Sequence, residues 1–311
     1  MPKVSICIPA YNQVEHLKKT IDSVISQTYT DYEIVITDDS PTSIVADFVK
    51  TNYSQINLFY YKNPKALGTP ENWNESIRKA TGEYIKILHH DDWLAKPESL
   101  GIYVSMLDKN PLCDFAFSAT EAQSKGDNWE HVLKQRELNA LRENPLLLYS
   151  NNLIGAPSTG IFRRSIGITY DKQLQWLVDI DFYIQVLRKN SNIEYSHELL
   201  LVTFIAEGRV TDYCISNKQI EIFEYFYLLN KIYYQKNKYP AQAITACMLQ
   251  AISICDKYKV MNIDDIAASG YSGKIPLKIK TYLSLKRKSY ILAKGYKKIF
   301  KNSRYNKAES K

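Results

Sequence analysis

KVSICIPAYNQVEHLKKTIDSVISQTYTDYEIVITDDS, residues 3–40, decides the fold of this 311-residue chain. It opens with an apolar run, KVSICIPA (3–10), and breaks at a polar turn. In NQVEHLKKTIDSVISQ that follows, Val14, Leu17, Ile21, Val24 and Ile25 recur at helical spacing behind Asn12, which is placed as an N-cap. A second run rich in β-branched residues, YEIVITD (32–38), closes the unit. Strand, helix and strand in this order imply two parallel strands joined by a crossover.

Working outward, INLFYYK (56–62), EYIKILH (83–89) and CDFAFS (113–118) read as further strands, and PENWNESIRKATG (70–82) as a helix opened by Pro70 and closed by Gly82. The expected fold class is therefore α/β, a mostly parallel sheet with helices on its faces. Such sheets bind ligands beyond the carboxyl ends of their strands. Three polar turns lie there: PAYN (9–12), DDS (38–40) and HHDDW (89–93). Adjacent carboxylates at the end of a buried strand repel one another and are costly to desolvate, so Asp91 and Asp92 point to a bound cation. With 11 glycines and neither a GxGxxG nor a GxxxxGK[ST] motif, a dinucleotide or P-loop site has no support.

Composition narrows the class further. No segment approaches the roughly 20 apolar residues of a spanning helix, and the opening MPKVSICIPAYN lacks the apolar region and cleavage site of a signal peptide, so a cytoplasmic location is expected. Five scattered cysteines without a CxxC pair suit reduced core thiols rather than a zinc cluster. The net charge of +7 is unevenly placed: from Lys274 to Lys311 there are 13 Lys and Arg against one acid, Glu309, which leaves the preceding body mildly acidic.

The ordered motifs from Lys3 to Lys109 resemble the nucleotide-sugar-binding half of the family 2 inverting glycosyltransferases, whose fold is called GT-A. A weaker likeness continues through GAPSTGIFRRS (155–165) and LQWLVDIDFYIQVLRK (174–189) to EGRVT (207–211). It implies a metal-assisted transfer from a nucleotide-diphosphate sugar to a hydroxyl of a glycan or lipid-linked acceptor, as in bacterial surface-polysaccharide synthesis. Residues 1–218 would form the catalytic domain, 219–273 a helical extension and 274–311 a basic amphipathic tail.

Residue by residue, the resemblance gives Pro9, Tyr11 and Asn12 to the nucleotide, with the Tyr11 ring on the base; a helix cap is the alternative for Asn12. Asp38 and Asp39 match the acids after the second strand. Asp39 would accept from a ring N–H, favouring a UDP or dTDP sugar, against a plain Asx turn. Asp92 would ligate Mn²⁺ or Mg²⁺ and Asp91 contact sugar or ribose. His90 replaces the first acid of an Asp-x-Asp pattern, as a ligand or a flanking hydrogen-bonding residue, and His89, which alternates away from His90 on the strand, is expected to be structural. Asp179 is the expected general base and Asp181 a supporting contact, with an N-cap as the competing role for Asp179. Arg163 or Arg164 is offered to phosphate or an anionic acceptor, and Arg209 to the diphosphate.

The tail interleaves Ile275, Ile279, Tyr282, Leu285, Leu292, Tyr296 and Ile299 with Lys. This suits a helix on an anionic membrane surface, which would place the protein peripherally at the inner face of the membrane; a solvated tail or a helix packed on its own domain is the alternative. Nucleic acid is not an expected partner, because the body is acidic and no nucleic-acid motif occurs. Two other functions compete: a sugar-phosphate nucleotidyltransferase, opposed by the missing Gly-rich loop, and a degenerate non-catalytic binding module, suggested by His90 and by Val178 where the family has Glu.

Overall fold

The computed structural model describes residues 1–124, 126–205 and 210–302. They form two compact units. The first comprises Met1–Glu143, Leu153–Gln173 and the residues from Asp181, the second Asn144–Asn152, Leu174–Ile180 and the residues from Val210.

The first unit carries the sheet. Its opening elements are β1 (Val4–Ala10), α1 (Val14–Ile25), β2 (Tyr32–Asp38), α2 (Ile44–Asn52), β3 (Leu58–Lys62), α3 (Glu71–Lys79), β4 (Tyr84–Ile87), β5 (Asp92–Leu94) and α4 (Ser99–Lys109). There follow β6 (Phe115–Gln123), β7 (Asn128–His131), α5 (Gln135–Glu143), β8 (Gly160–Arg163), α6 (Val178–Lys189), whose first residues belong to the second unit, and β9 (Ile193–Phe204). The strand order is β3-β2-β1-β4-β8-β6-β9-β5, with β7 paired to β6. β3, β2, β1 and β4 are parallel, while β8 runs antiparallel between β4 and β6.

All seven residues of β1 are buried. An Ile or Val withdrawn from water in this way contributes about 1.5–3 kcal/mol. α1 covers the sheet through Leu17, Thr20, Ile21 and Val24, whereas Ile25 stays exposed. Register then aligns the functional turns: Ala10 pairs with Asp38, and Cys7 with Ile87, so the chain leaves β1, β2 and β4 at neighbouring points on one sheet edge.

Two end signals read from the sequence act differently in the structure. Asn12 does not cap α1: Gln13 occupies that position, and Asn12 adopts a left-handed φ of 59°, which its short polar side chain tolerates, while its N–H donates to Ser40 Oγ at 2.8 Å. Gly82 does not end α3, which stops at Lys79 with Ala80 as C-cap. Gly82 instead lies against β1, where a Cβ would come within 2.6 Å of the Ser5 nitrogen.

The second unit is helical: a 3-10 turn at Pro145–Tyr149, then α7 (Val210–Cys214), α8 (Lys218–Tyr234), α9 (Ala241–Lys257), α10 (Ile263–Ala267), α11 (Leu277–Lys288) and α12 (Tyr290–Asn302). Cys247, Ala251, Ile252 and Cys255 form the buried face of α9. The basic segment folds as two helices broken at Ser289, so its apolar residues divide: Ile279, Tyr282 and Leu283 point inward, whereas Ile291, Leu292 and Ile299 remain exposed. No helix among the described residues is long and apolar enough to cross a membrane.

Candidate active site

The turn after β4 is the chemical centre of the first unit. One ligand atom each from His89, Asp91 and Asp92 lie within 4.8 Å of one another. α1 holds the turn from below: the Thr20 hydroxyl reaches the carbonyls of His90 at 2.9 Å and Asp92 at 2.8 Å. Ser158, in the 3-10 turn ahead of β8, accepts the His89 N–H at 2.9 Å, and its side chain also bonds the Asp92 carboxylate. β5 starts at Asp92 itself, which pairs with Thr203 and is buried. Burial first, then the neighbouring Asp91, pushes the Asp92 carboxyl well above its usual range.

Beneath the turn lies Lys86, fully buried within β4. Its ammonium donates to the Ser158 and Gly160 carbonyls and lies 4.1 Å from the Tyr103 ring centre. Burial lowers its pKa to about 7. Lys interrupting the apolar run YIKIL was the visible signal of this residue.

The histidine that converges with the acids is His89, which sequence alternation had turned away. His89 Nδ1 lies 3.8 Å from Asp92 Oδ2, Nε2 is buried without a hydrogen-bond partner, and the ring lies 4.7 Å from that of Trp73. Burial lowers its pKa to about 4, so the imidazole is neutral with a lone pair to offer. His90 is held elsewhere: Nε2 is 3.3 Å from Gln13 Oε1, and the ring bonds the Pro9 backbone. Two carboxylates, an uncharged imidazole and an orphaned ring nitrogen suit a divalent cation with both oxygen and nitrogen affinity.

The other two turns differ in what they leave open. Tyr11, just after β1, is 51% exposed, whereas Pro9 is buried in the strand. Asp38 is fully buried, its Oδ1 taken by the Ser40 N–H and hydroxyl and its Oδ2 by Tyr60 at 2.6 Å and Lys62 at 3.0 Å. Those four bonds use the acceptor capacity of a carboxylate, so Asp38 braces the loop and does not face a ligand. Asp39 accepts from Asn63 at 2.7 Å, Leu67 N–H at 3.0 Å and Gly68 N–H at 2.8 Å, which leaves one position on Oδ2.

Arg163 lies at the other end of the sheet, opposite Tyr84 where β4 begins. Its guanidinium is spent on the Cys113 and Leu107 carbonyls and on Glu83, so it serves structure rather than an anionic ligand. Arg164 lines a shallow surface pocket with Glu83, Arg163 and Ser165 at the same end. Arg209, with EGR of the 207–211 motif, lies outside the described residues.

The second unit holds Asp179, in the first turn of α6. Its Oδ1 accepts the Ile180 N–H at 2.8 Å and its Oδ2 the Asn152 amide at 2.8 Å. Burial pushes its carboxyl up to about 7, and the charge of Glu224 acts in the same direction. Asp181, two residues on, is 1% exposed and bonded to Gln185 at 2.8 Å.

A profile of glycosyl transferase family 2 matches residues 5–169, more than half of the chain. The chain belongs to glycosyl transferase family 2. An uncharacterized glycosyltransferase of Methanocaldococcus jannaschii is 27% identical over 248 residues, 76% of this chain and 83% of that one. Among solved structures, Staphylococcus aureus TarS 1–349 in complex with UDP-GlcNAc superposes with a TM-score of 0.67 at 16% identity, covering 98% of this chain and 92% of that one. A mannosyltransferase of Pyrobaculum calidifontis, in complex with GDP-Man and Mn²⁺, gives 0.57 at 15% identity, covering 99% and 88%. These likenesses establish the GT-A fold. The family 2 profile ends at residue 169, before Asp179, so it covers the β4 turn and not the start of α6.

Proposed function

We propose that this family 2 member transfers a sugar, with inversion, from a nucleotide-diphosphate donor to a hydroxyl of a glycan or lipid-linked acceptor, residues 1–218 carrying the chemistry. The observation behind this is the convergence of His89, Asp91 and Asp92 at the carboxyl edge of the sheet, in a fold whose solved neighbours include one with UDP-GlcNAc and one with GDP-Man and Mn²⁺. Asp92, with Asp91 and His89, would hold Mn²⁺ or Mg²⁺. When bound, the cation would supply positive charge beside the diphosphate leaving group. Tyr11 supplies a flat face for the base, and the open position on Asp39 Oδ2 suits a ring N–H, favouring uracil or thymine.

Asp179 is assigned as base. It takes the proton of the acceptor hydroxyl as that oxygen bonds the anomeric carbon. On the opposite face the carbon–oxygen bond to the diphosphate breaks, which inverts the configuration and frees the nucleoside diphosphate. A carboxyl raised to about 7 is well matched to this work at neutral pH.

The α12 face carrying Ile291, Leu292 and Ile299 among lysines, in a segment with no acid between Lys274 and Asn302, supports contact with an anionic bilayer, where a lipid-linked acceptor would reside.

Calorimetric titration of UDP, dTDP, GDP and CDP, with and without Mn²⁺, tests the donor assignment. One pyrimidine diphosphate is expected to bind only with metal and to be lost in Asp92→Ala. Metal-independent binding, or no binding of any of the four, overturns the reading.

A further inference from the structure

α8 buries two glutamates one turn apart, Glu221 and Glu224, and they are held differently. Glu221 meets Lys257 of α9 at 2.8 Å and accepts the Ser216 N–H at 2.9 Å. Glu224, 2% exposed, accepts three consecutive main-chain N–H groups: Gln175 on Oε1 at 2.8 Å, and Trp176 and Leu177 on Oε2 at 2.9 and 2.7 Å. Those residues lead directly into α6, and two positions after Leu177 comes Asp179.

Three donors in a row require a group that only accepts. Gln in place of Glu224 would turn an NH₂ towards at least one of the N–H groups, leaving two donors facing each other in a buried place. A lysine or hydroxyl could not serve three. The carboxylate therefore sets the path of the chain ahead of α6, and the Asn152 amide donates to the Asp179 carboxylate at 2.8 Å.

We propose that Glu224 is the positioning residue of the reaction's base: by clamping residues 175–177 it keeps the Asp179 carboxylate in one place. This rests on the assignment of Asp179 as base. A second effect follows from charge. Asn152 and the Ile180 N–H are neutral contacts of Asp179, whereas Glu224 acts on it through charge and raises the Asp179 pKa further after burial has done so. Glu224 thus both fixes the base and keeps it basic, from a helix that lies outside the segment matched by the family profile.

The test uses the full chain, labelled with ¹³C at aspartate carboxyls, as wild type, Asp179→Asn and Glu224→Gln. The resonance missing in Asp179→Asn identifies Asp179. In Glu224→Gln that resonance is expected to titrate at lower pH and to split or broaden. Nucleoside diphosphate release by hydrolysis, from whichever of a panel of UDP- and dTDP-sugars the wild type cleaves fastest, should fall roughly 10- to 100-fold with the Kd for that nucleoside diphosphate unchanged. In the Asp179→Asn background Glu224→Gln should add no further loss. An unchanged Asp179 resonance in Glu224→Gln, or an additive loss in the double variant, overturns the positioning role. Undiminished hydrolysis by Asp179→Asn overturns instead the base assignment, and the role of Glu224 in the reaction with it. Should Glu224→Gln not fold, Glu224→Asp, which keeps the charge but withdraws it by one methylene, should still split or broaden the Asp179 resonance and lower nucleoside diphosphate release, and an unchanged resonance overturns the positioning role.

Discussion

As the proposed base, Asp179 sets the pH dependence expected at the residue scale. A base acts in its ionised form, and burial pushes this carboxyl up to about 7, so turnover should rise with pH to about 7 and level off above it. Asp179→Asn should lower turnover about 10²–10⁴-fold and abolish that rise, measured as nucleoside diphosphate release between pH 5 and 9. The same shift has a cost. A folded-state pKa above the unfolded value contributes stability that is fully present below the unfolded pKa and lost as pH rises through about 7, so Asp179→Asn should melt above the wild type at pH 8 and gain nothing at pH 3. Gly82 yields a prediction free of titration. An added methyl would meet the Ser5 nitrogen at 2.6 Å, backbone that cannot rotate away, so Gly82→Ala should lose about 1–3 kcal/mol in urea unfolding.

Among the elements, the packing of α11 and α12 on α9 turns on Asp256. Tyr282 bonds its Oδ1 at 2.6 Å, Lys286 the same oxygen at 3.0 Å, and Lys297 its Oδ2 at 2.7 Å. Burial raises the Asp256 carboxyl, but Lys297, Tyr282 and Lys286 outweigh that and hold it below the usual carboxylate range. Its contribution is therefore complete above the unfolded carboxyl pKa and lost as pH falls through the lower folded value. Because Lys286 is buried, Asp256→Ala would leave a cation unpaired in the interior, at a cost of about 3 kcal/mol. Hydrogen exchange should show α11 and α12 opening in that variant while β1 to β4 keep wild-type protection. The short elements also set the limits of sequence reading. β5 has three residues, too few for a periodicity, and it is held by pairing with β9.

At the scale of the whole molecule the expected partner is a membrane surface. α12 is fixed inward by Ala293, Lys297 and Phe300, and outward it presents Ile291, 81% exposed, and Ile299, 71% exposed, beside Lys294, Lys298 and Lys301. Each basic residue near an anionic surface is worth about 1 kcal/mol. Sedimentation with phosphatidylglycerol vesicles should retain the wild type and be weakened by salt, whereas Ile291→Glu with Ile299→Glu should remain in the supernatant with unchanged nucleotide binding. Equal retention of both proteins would refute this face as the contact.

Much of the fold was legible because burial on both faces of a parallel sheet needs continuous Ile- and Val-rich runs, and α1 needs a stripe at 3.6-residue spacing. VSICIPA, YEIVITD and YIKI satisfy the first requirement, and Leu17, Ile21 and Val24 the second. The three polar turns could be located for the same reason: they are where those runs stop. Which side chains in the turns face one another was decided only in three dimensions. Alternation along a strand set His89 aside, but β4 ends at Ile87, and beyond that point Thr20 and Ser158 dictate the path and bring His89 to Asp91 and Asp92. Asp38 and Asp39 look equivalent in sequence, and their hydrogen-bond partners alone separate a buried brace from a residue with an open acceptor position. Local periodicity records what each element must bury, whereas the partners of a buried polar atom come from chain segments tens of residues away, as Glu224 does to the residues before Asp179.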